Sequence, residues 1–255
     1  MRIKLVVSYD GTDFRGWAAQ AGQRTVQGTL TEAVRQVSGE ENEITGASRT
    51  DSGAHAMGQV CHFDSSVAIP IGKWPSVLNR VLPPDLAVVR SQRVADDFHS
   101  RFSAQDRWYR YRIQFGPRDP HRARYVHNYH SELDVGAMQG AAKALQGDHD
   151  FLAFTEELDP RVENTRRTLV RFAVAKHRDE VWVDVVGTAF LRGMMRRMAG
   201  ALLEVGRAKR SVEEVSRLLD PKERSSLQWP VVLPARGLCL MRVRYGRWPK
   251  DNRTL

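Results

Sequence analysis

At 255 residues the chain holds one large domain or two modest ones, since a domain commonly takes about 150 residues, and it can bury a core unaided. Hydrophobic residues make up 42% of it, which excludes disorder as the dominant state. Against 30 Asp and Glu stand 39 Lys and Arg, 32 of them Arg, for a formal charge of +9; guanidinium forks match phosphate oxygens, so an anionic partner is favoured, although a GC-rich coding sequence would raise arginine too.

Two cysteines, Cys61 and Cys239, are too few for a disulfide framework and lack the clustered spacing of a zinc site. A reducing, cytoplasmic compartment is the simplest expectation. Asp184 and Arg192 interrupt the longest apolar runs, so no membrane span is expected.

In chain order, Met1 to Tyr9 alternates Ile3, Leu5, Val7 and Tyr9 with Arg2, Lys4, Val6 and Ser8. That is the period of a half-buried strand, not the apolar block of a signal peptide. A turn-rich stretch from Asp10 to Gln23 leads to a helical pattern in Val26, Leu30, Ala33, Val34 and Val37. A short strand is expected near Glu43 to Ala47, then a polar loop, then a strand over Gln59 to Asp64. Trp74, Val77, Leu78, Val81 and Leu82 predict a second helix, stopped by Pro83-Pro84 before a strand over Asp85 to Arg90. The order is βαββαβ, the split βαβ arrangement.

The second half repeats that order. Trp108 to Phe115 alternates with Tyr109, Tyr111 and Ile113 on one face, and a helix follows with Val135, Met138, Ala142 and Leu145. Leu169 to Lys176 and Val181 to Val186 flank a hairpin turn, and Phe190 to Val205 reads as a long helix. Ser211 and Glu214 are spaced as a capping box for a short helix before a closing strand over Gly237 to Tyr245. The expected fold is α+β, with an N-terminal half over 1–105 and a C-terminal half over 106–255. Two such ferredoxin-like halves, with antiparallel sheets side by side, would leave a central basic cleft. No residue-level repeat relates the halves, so the duplication is inferred from element order alone.

The most unusual stretch is Ala47-Ser48-Arg49-Thr50-Asp51-Ser52-Gly53-Ala54-His55. It sets an Arg two residues before an Asp, then a Gly, in a loop between two expected strands. Small residues let a backbone approach a ligand, and a guanidinium nearby favours the ionised form of a carboxylate, which can then act as a nucleophile. The ordinary reading of Asp-Ser-Gly is a surface turn whose Asp caps its own backbone. A metal site of Asp51, His55 and His62 would need convergence from a loop and a strand, with no second cluster in support. An aspartic protease loop follows an apolar strand, whereas Ser48-Arg49-Thr50 precede here, and Arg49 opposes proton sharing. Ser52 as a hydrolase nucleophile lacks the G-x-S-x-G elbow. Asp51 remains the best candidate.

Two further stretches interleave cations with aromatics: Arg101-Phe102-Ser103-Ala104 and Arg107-Trp108-Tyr109-Arg110-Tyr111-Arg112. Rings stack bases while Arg pairs phosphates, which suits single-stranded or flipped-out nucleic acid. The bland alternative is a strand with Tyr in the core and Arg in solvent. In the long helix, Phe190, Met194, Met198, Leu202 and Val205 should face the core, with Arg192 and Arg196 rising together from another face.

Taken together these segments resemble the tRNA pseudouridine synthase A family. The likeness runs from Ser8-Tyr9-Asp10-Gly11-Thr12 with Gly16-Trp17, through Arg49-Thr50-Asp51-x-Gly53-x-His55 and Phe98-His99-x-Arg101-Phe102-Ser103-Ala104, to Tyr109-Arg110-Tyr111. It continues in Gly147-x-His149-Asp150-Phe151, Phe190-Leu191-x-x-Met194-Met195-Arg196 and Glu204-Val205-Gly206.

The resemblance implies that Asp51 is the catalytic aspartate and Arg196 the arginine paired with it. It also implies that Tyr109 contacts the target base and removes a proton, and that Arg49 helps hold the flipped nucleotide. Two similar α/β halves, a homodimer, no cofactor, no metal and uridines 38 to 40 of the tRNA anticodon stem-loop as targets are implied as well. Ser48 and Ser52 depart from the family loop, and Ser48 would be strained by about 1 kcal/mol or more if its position were left-handed. Ala18 and Arg197 also depart from common family residues. A non-catalytic RNA-binding protein of duplicated sheet modules is the competing expectation.

Overall fold

The computed structural model describes residues 1–155 and 164–246. The N-terminal alternation forms β1 (Arg2–Tyr9), with Ile3, Leu5, Val7 and Tyr9 buried. In α1 (Val26–Ser38), Thr25 caps the start by accepting from the Gly28 amide, and Val26, Leu30, Ala33 and Val34 form the buried stripe. Strands β2 (Thr45–Gly46) and β3 (His55–Asp64), helix α2 (Trp74–Leu78) and strand β4 (Leu86–Val94) complete the first βαββαβ run. Helix α2 stops short of the expected Leu82. Asn79 turns its amide onto β4 instead, donating to Val88 O at 3.0 Å and accepting from Val88 N at 2.8 Å.

The second run comprises β5 (Asp106–Phe115), β6 (His127–Tyr129), α3 (Val135–Leu145), β7 (Gly147–Asp150), β8 (Arg166–His177), β9 (Glu180–Gly187), α4 (Met194–Gly206), α5 (Val212–Arg217) and β10 (Leu238–Arg244). The Ser211–Glu214 capping box is present at α5. Helix α4 starts four residues later than its apolar stripe suggests, because Gly193 holds a φ of 69° that a right-handed helix does not admit. Phe190, Leu191 and Arg192 therefore precede the helix, and Arg192 does not rise with Arg196 from one helical face.

The two antiparallel sheets expected side by side are continuous, forming one ten-stranded sheet ordered β4-β1-β3-β10-β5-β9-β8-β7, with β2 beside β3 and β6 beside β5. Pairing is antiparallel except for β3 with β10 and β5 with β6. The join is β10: Cys239 and Leu240 pair in parallel with His55 and Ala56, while its other edge pairs antiparallel with β5. Strand β3 accordingly begins at His55 and not at Gln59, since its backbone partner arrives from the far end of the chain. Along β5, Tyr109, Tyr111 and Ile113 face the buried side and Trp108, Arg110 and Arg112 the other. Among the described residues no helix is long and apolar enough to cross a membrane.

Candidate active site

The loop from Ala47 to Ala54 lies immediately before the join of β3 and β10, and nearly every residue in it is tied down. Ala47 N donates to Val60 O at 2.8 Å, Gln59 Nε2 to Ser48 O at 2.7 Å, and Trp17 N to Thr50 O at 3.1 Å. Thr50 Oγ1 meets the Tyr9 hydroxyl at 2.8 Å. The amide of Ala54 donates to Asp51 O at 3.1 Å, closing a four-residue turn whose third residue, Gly53, has a φ of 81°. A turn of this kind takes glycine there because other residues resist positive φ. This is the physical content of Asp-x-Gly: the turn fixes the backbone so that Asp51 projects from a rigid base.

Asp51 Oδ2 accepts from Arg196 Nη1 at 3.1 Å across 145 residues of sequence. Arg196 sits on α4, and its Nε donates to Leu233 O at 2.7 Å, so the guanidinium is aimed before it meets the carboxylate. Their side chains keep 26% and 17% of their surfaces exposed, which leaves the pair reachable from solvent while rigidly seated.

Tyr109 reaches the same loop from β5. Its hydroxyl lies 2.7 Å from Ser48 Oγ, and its ring meets Phe190 edge-on at 4.9 Å. Burial pushes the phenol up to about 12; the Ser48 hydrogen bond pulls it down, and the charge of Asp51 adds to the rise. Ser48 adopts no positive φ, so the strain expected of it at a left-handed position does not arise, and its hydroxyl is a partner for Tyr109. Arg49 is exposed on the loop, where its side chain makes no hydrogen bond or ion pair among the described residues.

Of the four residues singled out by sequence, Asp51 and Arg196 are brought into direct contact. Tyr109 reaches the same loop at Ser48, three residues before Asp51, and Arg49 is exposed on it. Sequence reasoning did not foresee the roles of Ser48, Gln59, Phe190 and above all Arg107 around the loop. Arg107 is buried, and its guanidinium donates to Thr188 O at 2.7 Å, Arg101 O at 2.6 Å and Ala47 O at 3.2 Å. It therefore clamps the start of the Asp51 loop to two neighbouring segments. The signal was its parity: it shares an odd-numbered face with Tyr109 and Tyr111.

Most of the β5 arginines expected to meet nucleic acid are engaged within the fold. Arg110 pairs with Asp184 at 2.9 Å and stacks 3.8 Å over Trp182, while Arg112 pairs with Glu180 at 2.7 Å. His55 and His62 serve other ends than a shared site with Asp51. His55 Nδ1 accepts from Gly11 N at 3.0 Å, with its Nε2 at 2.9 Å from Arg124 O, and His62 Nδ1 lies 3.0 Å from Ser100 Oγ. Burial lowers the pKa of both rings, so each is held neutral. Ser52 donates to Phe14 O at 3.3 Å. The carboxylate of Asp51 faces an arginine where an aspartic protease would set a second carboxylate.

The family model described as tRNA pseudouridine synthase matches residues 5–103 and 141–246. The tRNA pseudouridine synthase A of Brevibacillus brevis is 42% identical over 245 residues, covering 96% of this chain and 99% of that protein. Its counterpart in Halalkalibacterium halodurans is 41% identical, covering 88% and 86% of the two chains. That of Clostridium kluyveri is 39% identical, covering 95% and 99%. An isomerase is thereby favoured over a non-catalytic RNA-binding module, and the chain belongs to the tRNA pseudouridine synthase family.

Proposed function

We infer that the chain isomerises uridines 38 to 40 of the tRNA anticodon stem-loop, with Asp51 as the nucleophile and the target base flipped out of the stem. The observation that carries this is the convergence of Asp51 and Arg196 at 3.1 Å on a rigid, solvent-reachable loop. Pseudouridine formation breaks N1–C1′ and forms C5–C1′, with no net redox change and no water consumed. A carboxylate assists by attacking C1′ or the uracil ring, or by stabilising positive charge at C1′. Arg196 holds Asp51 in register and Arg49 steadies the extruded nucleotide. Removal of the C5 proton falls to Tyr109. With its phenol near 12, preformed phenolate is scarce at neutral pH, so the hydroxyl accepts that proton while passing its own to the half-buried Ser48 hydroxyl, which releases its proton to solvent as N1 takes one up.

The strand orders β4-β1-β3-β2 and β10-β5-β9-β8 support reading the chain as two ferredoxin-like halves, 1–105 and 106–255, joined edge to edge at the Asp51 loop. A homodimer in the cytoplasm belongs to the same proposal, and sedimentation at the mass of one chain would remove the dimer. The test of the chemistry is Asp51→Asn. Tritium release from C5-labelled uridine in tRNA should fall to background, and substantial remaining release would refute Asp51 as nucleophile.

A further inference from the structure

Phe102 is the most exposed large hydrophobic side chain among the described residues, with 76% of its surface in solvent. A single exposed apolar residue is ordinary; the firmness with which this one is held out is not. The Ser103 amide donates to His99 O at 2.9 Å, and the His99 amide donates to Ser103 Oγ at 3.0 Å. The amides of Arg101 and Phe102 both donate to His99 Nδ1 at 3.2 Å. The phenyl ring packs on the His99 ring at 4.3 Å between centroids, and the Arg101 guanidinium lies 5.7 Å from its centre. Beneath the turn, Ser100 Oγ donates to Thr45 O at 2.7 Å and its carbonyl accepts from the Tyr245 hydroxyl at 2.6 Å.

The turn is also bound to the Asp51 loop. A single nitrogen, Arg107 Nη2, donates to Arg101 O at 2.6 Å and to Ala47 O at 3.2 Å, so the two carbonyls are neighbours. A flat apolar ring beside a guanidinium, on a turn tied through Arg107 to the start of the Asp51 loop, offers what an unstacked base and its phosphate need. Extruding a uridine leaves the bases on either side of it without a stacking partner, and an aromatic ring restores one.

We propose that Phe102 is a stacking platform for the nucleobase adjoining the target uridine, with Arg101 facing the neighbouring phosphate. The proposal rests on the tRNA pseudouridine synthase activity inferred above. Its test uses the full chain with Phe102→Ala, Phe102→Leu and Phe102→Trp, and tRNA stem-loops carrying 2-aminopurine on the 5′ or 3′ side of the target. Phe102→Ala and Phe102→Leu should raise Kd and KM about ten- to a hundredfold, with unchanged melting temperature, while Phe102→Trp stays near wild type. One of the two 2-aminopurine probes should be quenched on binding wild-type protein and released from quenching by Phe102→Leu. Wild-type protein that makes no pseudouridine refutes the activity beneath the proposal. Wild-type protein that does, with Phe102→Leu matching it in Kd and KM, overturns the stacking role alone. Loss of a dimer in Phe102→Leu with unchanged RNA affinity would make the ring a contact between copies and overturn it likewise.

Discussion

The two sides of β5 put arginine to opposite uses. On one side Arg107 and Tyr109 are buried and build the floor of the Asp51 loop, through Ala47 O and the Ser48 hydroxyl. On the other, Arg110 pairs with Asp184 and Arg112 with Glu180 of β9, Trp108 Nε1 also donating to Asp184 at 2.8 Å and Arg122 also pairing with Glu180 at 3.0 Å. Arg110 stands directly opposite Asp184 in the register and Arg112 reaches Glu180 on the diagonal, and such cross-strand charge pairs are an ordinary device of sheet pairing. A high arginine count is therefore a poor map of an RNA surface. What separates the two uses is alternation along the strand, which sends neighbouring arginines to different environments.

That contrast can be broken by substitution. Arg107→Met should cost roughly 2–4 kcal/mol, since it leaves buried carbonyls without donors. Turnover should fall with it, through a loosened Asp51 loop. Denaturant unfolding together with single-turnover assays at a temperature where the variant is folded would check both, and a stable, fully active variant would remove the clamp. Tyr109→Phe deletes only the hydroxyl; turnover should drop about ten- to a hundredfold with tRNA affinity intact, and equal losses in filter binding and turnover would reject proton transfer. On the proposed relay through the Tyr109 hydroxyl, wild-type turnover should be flat from pH 7 to 9. A rate rising tenfold per pH unit would instead indicate a phenolate base. Asp184→Asn on the opposite side weakens three hydrogen bonds at a carboxylate only 20% exposed, so it should cost about 1–3 kcal/mol in stability and leave tRNA turnover unchanged where the variant is folded. A large loss of activity there would erase the distinction between the two sides.

Local elements were legible because burial imposes its period on the sequence: β1, α1 and α3 are where their apolar residues recur. Errors fell where a distant partner decides. His55 enters β3 because Cys239 pairs with it, and Gly193 delays α4 through a backbone angle that an apolar stripe does not encode. The continuous sheet was hidden for the same reason, since β10 joins strands from both ends of the chain. At the site, Asp51 is marked by its own loop and Arg196 and Tyr109 by family likeness, while the Asp51–Arg196 contact, across 145 residues, is visible only in the structure. Arg107 is hidden among interleaved cations that suggest nucleic-acid contact, although Tyr109 two residues on marks its side of the strand as buried.

The central claim is that the Asp51 carboxylate performs the isomerisation, and carbodiimide-dependent reverse-transcription mapping tests it directly by reporting activity and position together. Unmodified tRNA incubated with wild-type protein should acquire stops at uridines 38 to 40, and tRNA incubated with Asp51→Asn, binding with unchanged affinity, should acquire none. Stops of equal strength with the variant would contradict the claim.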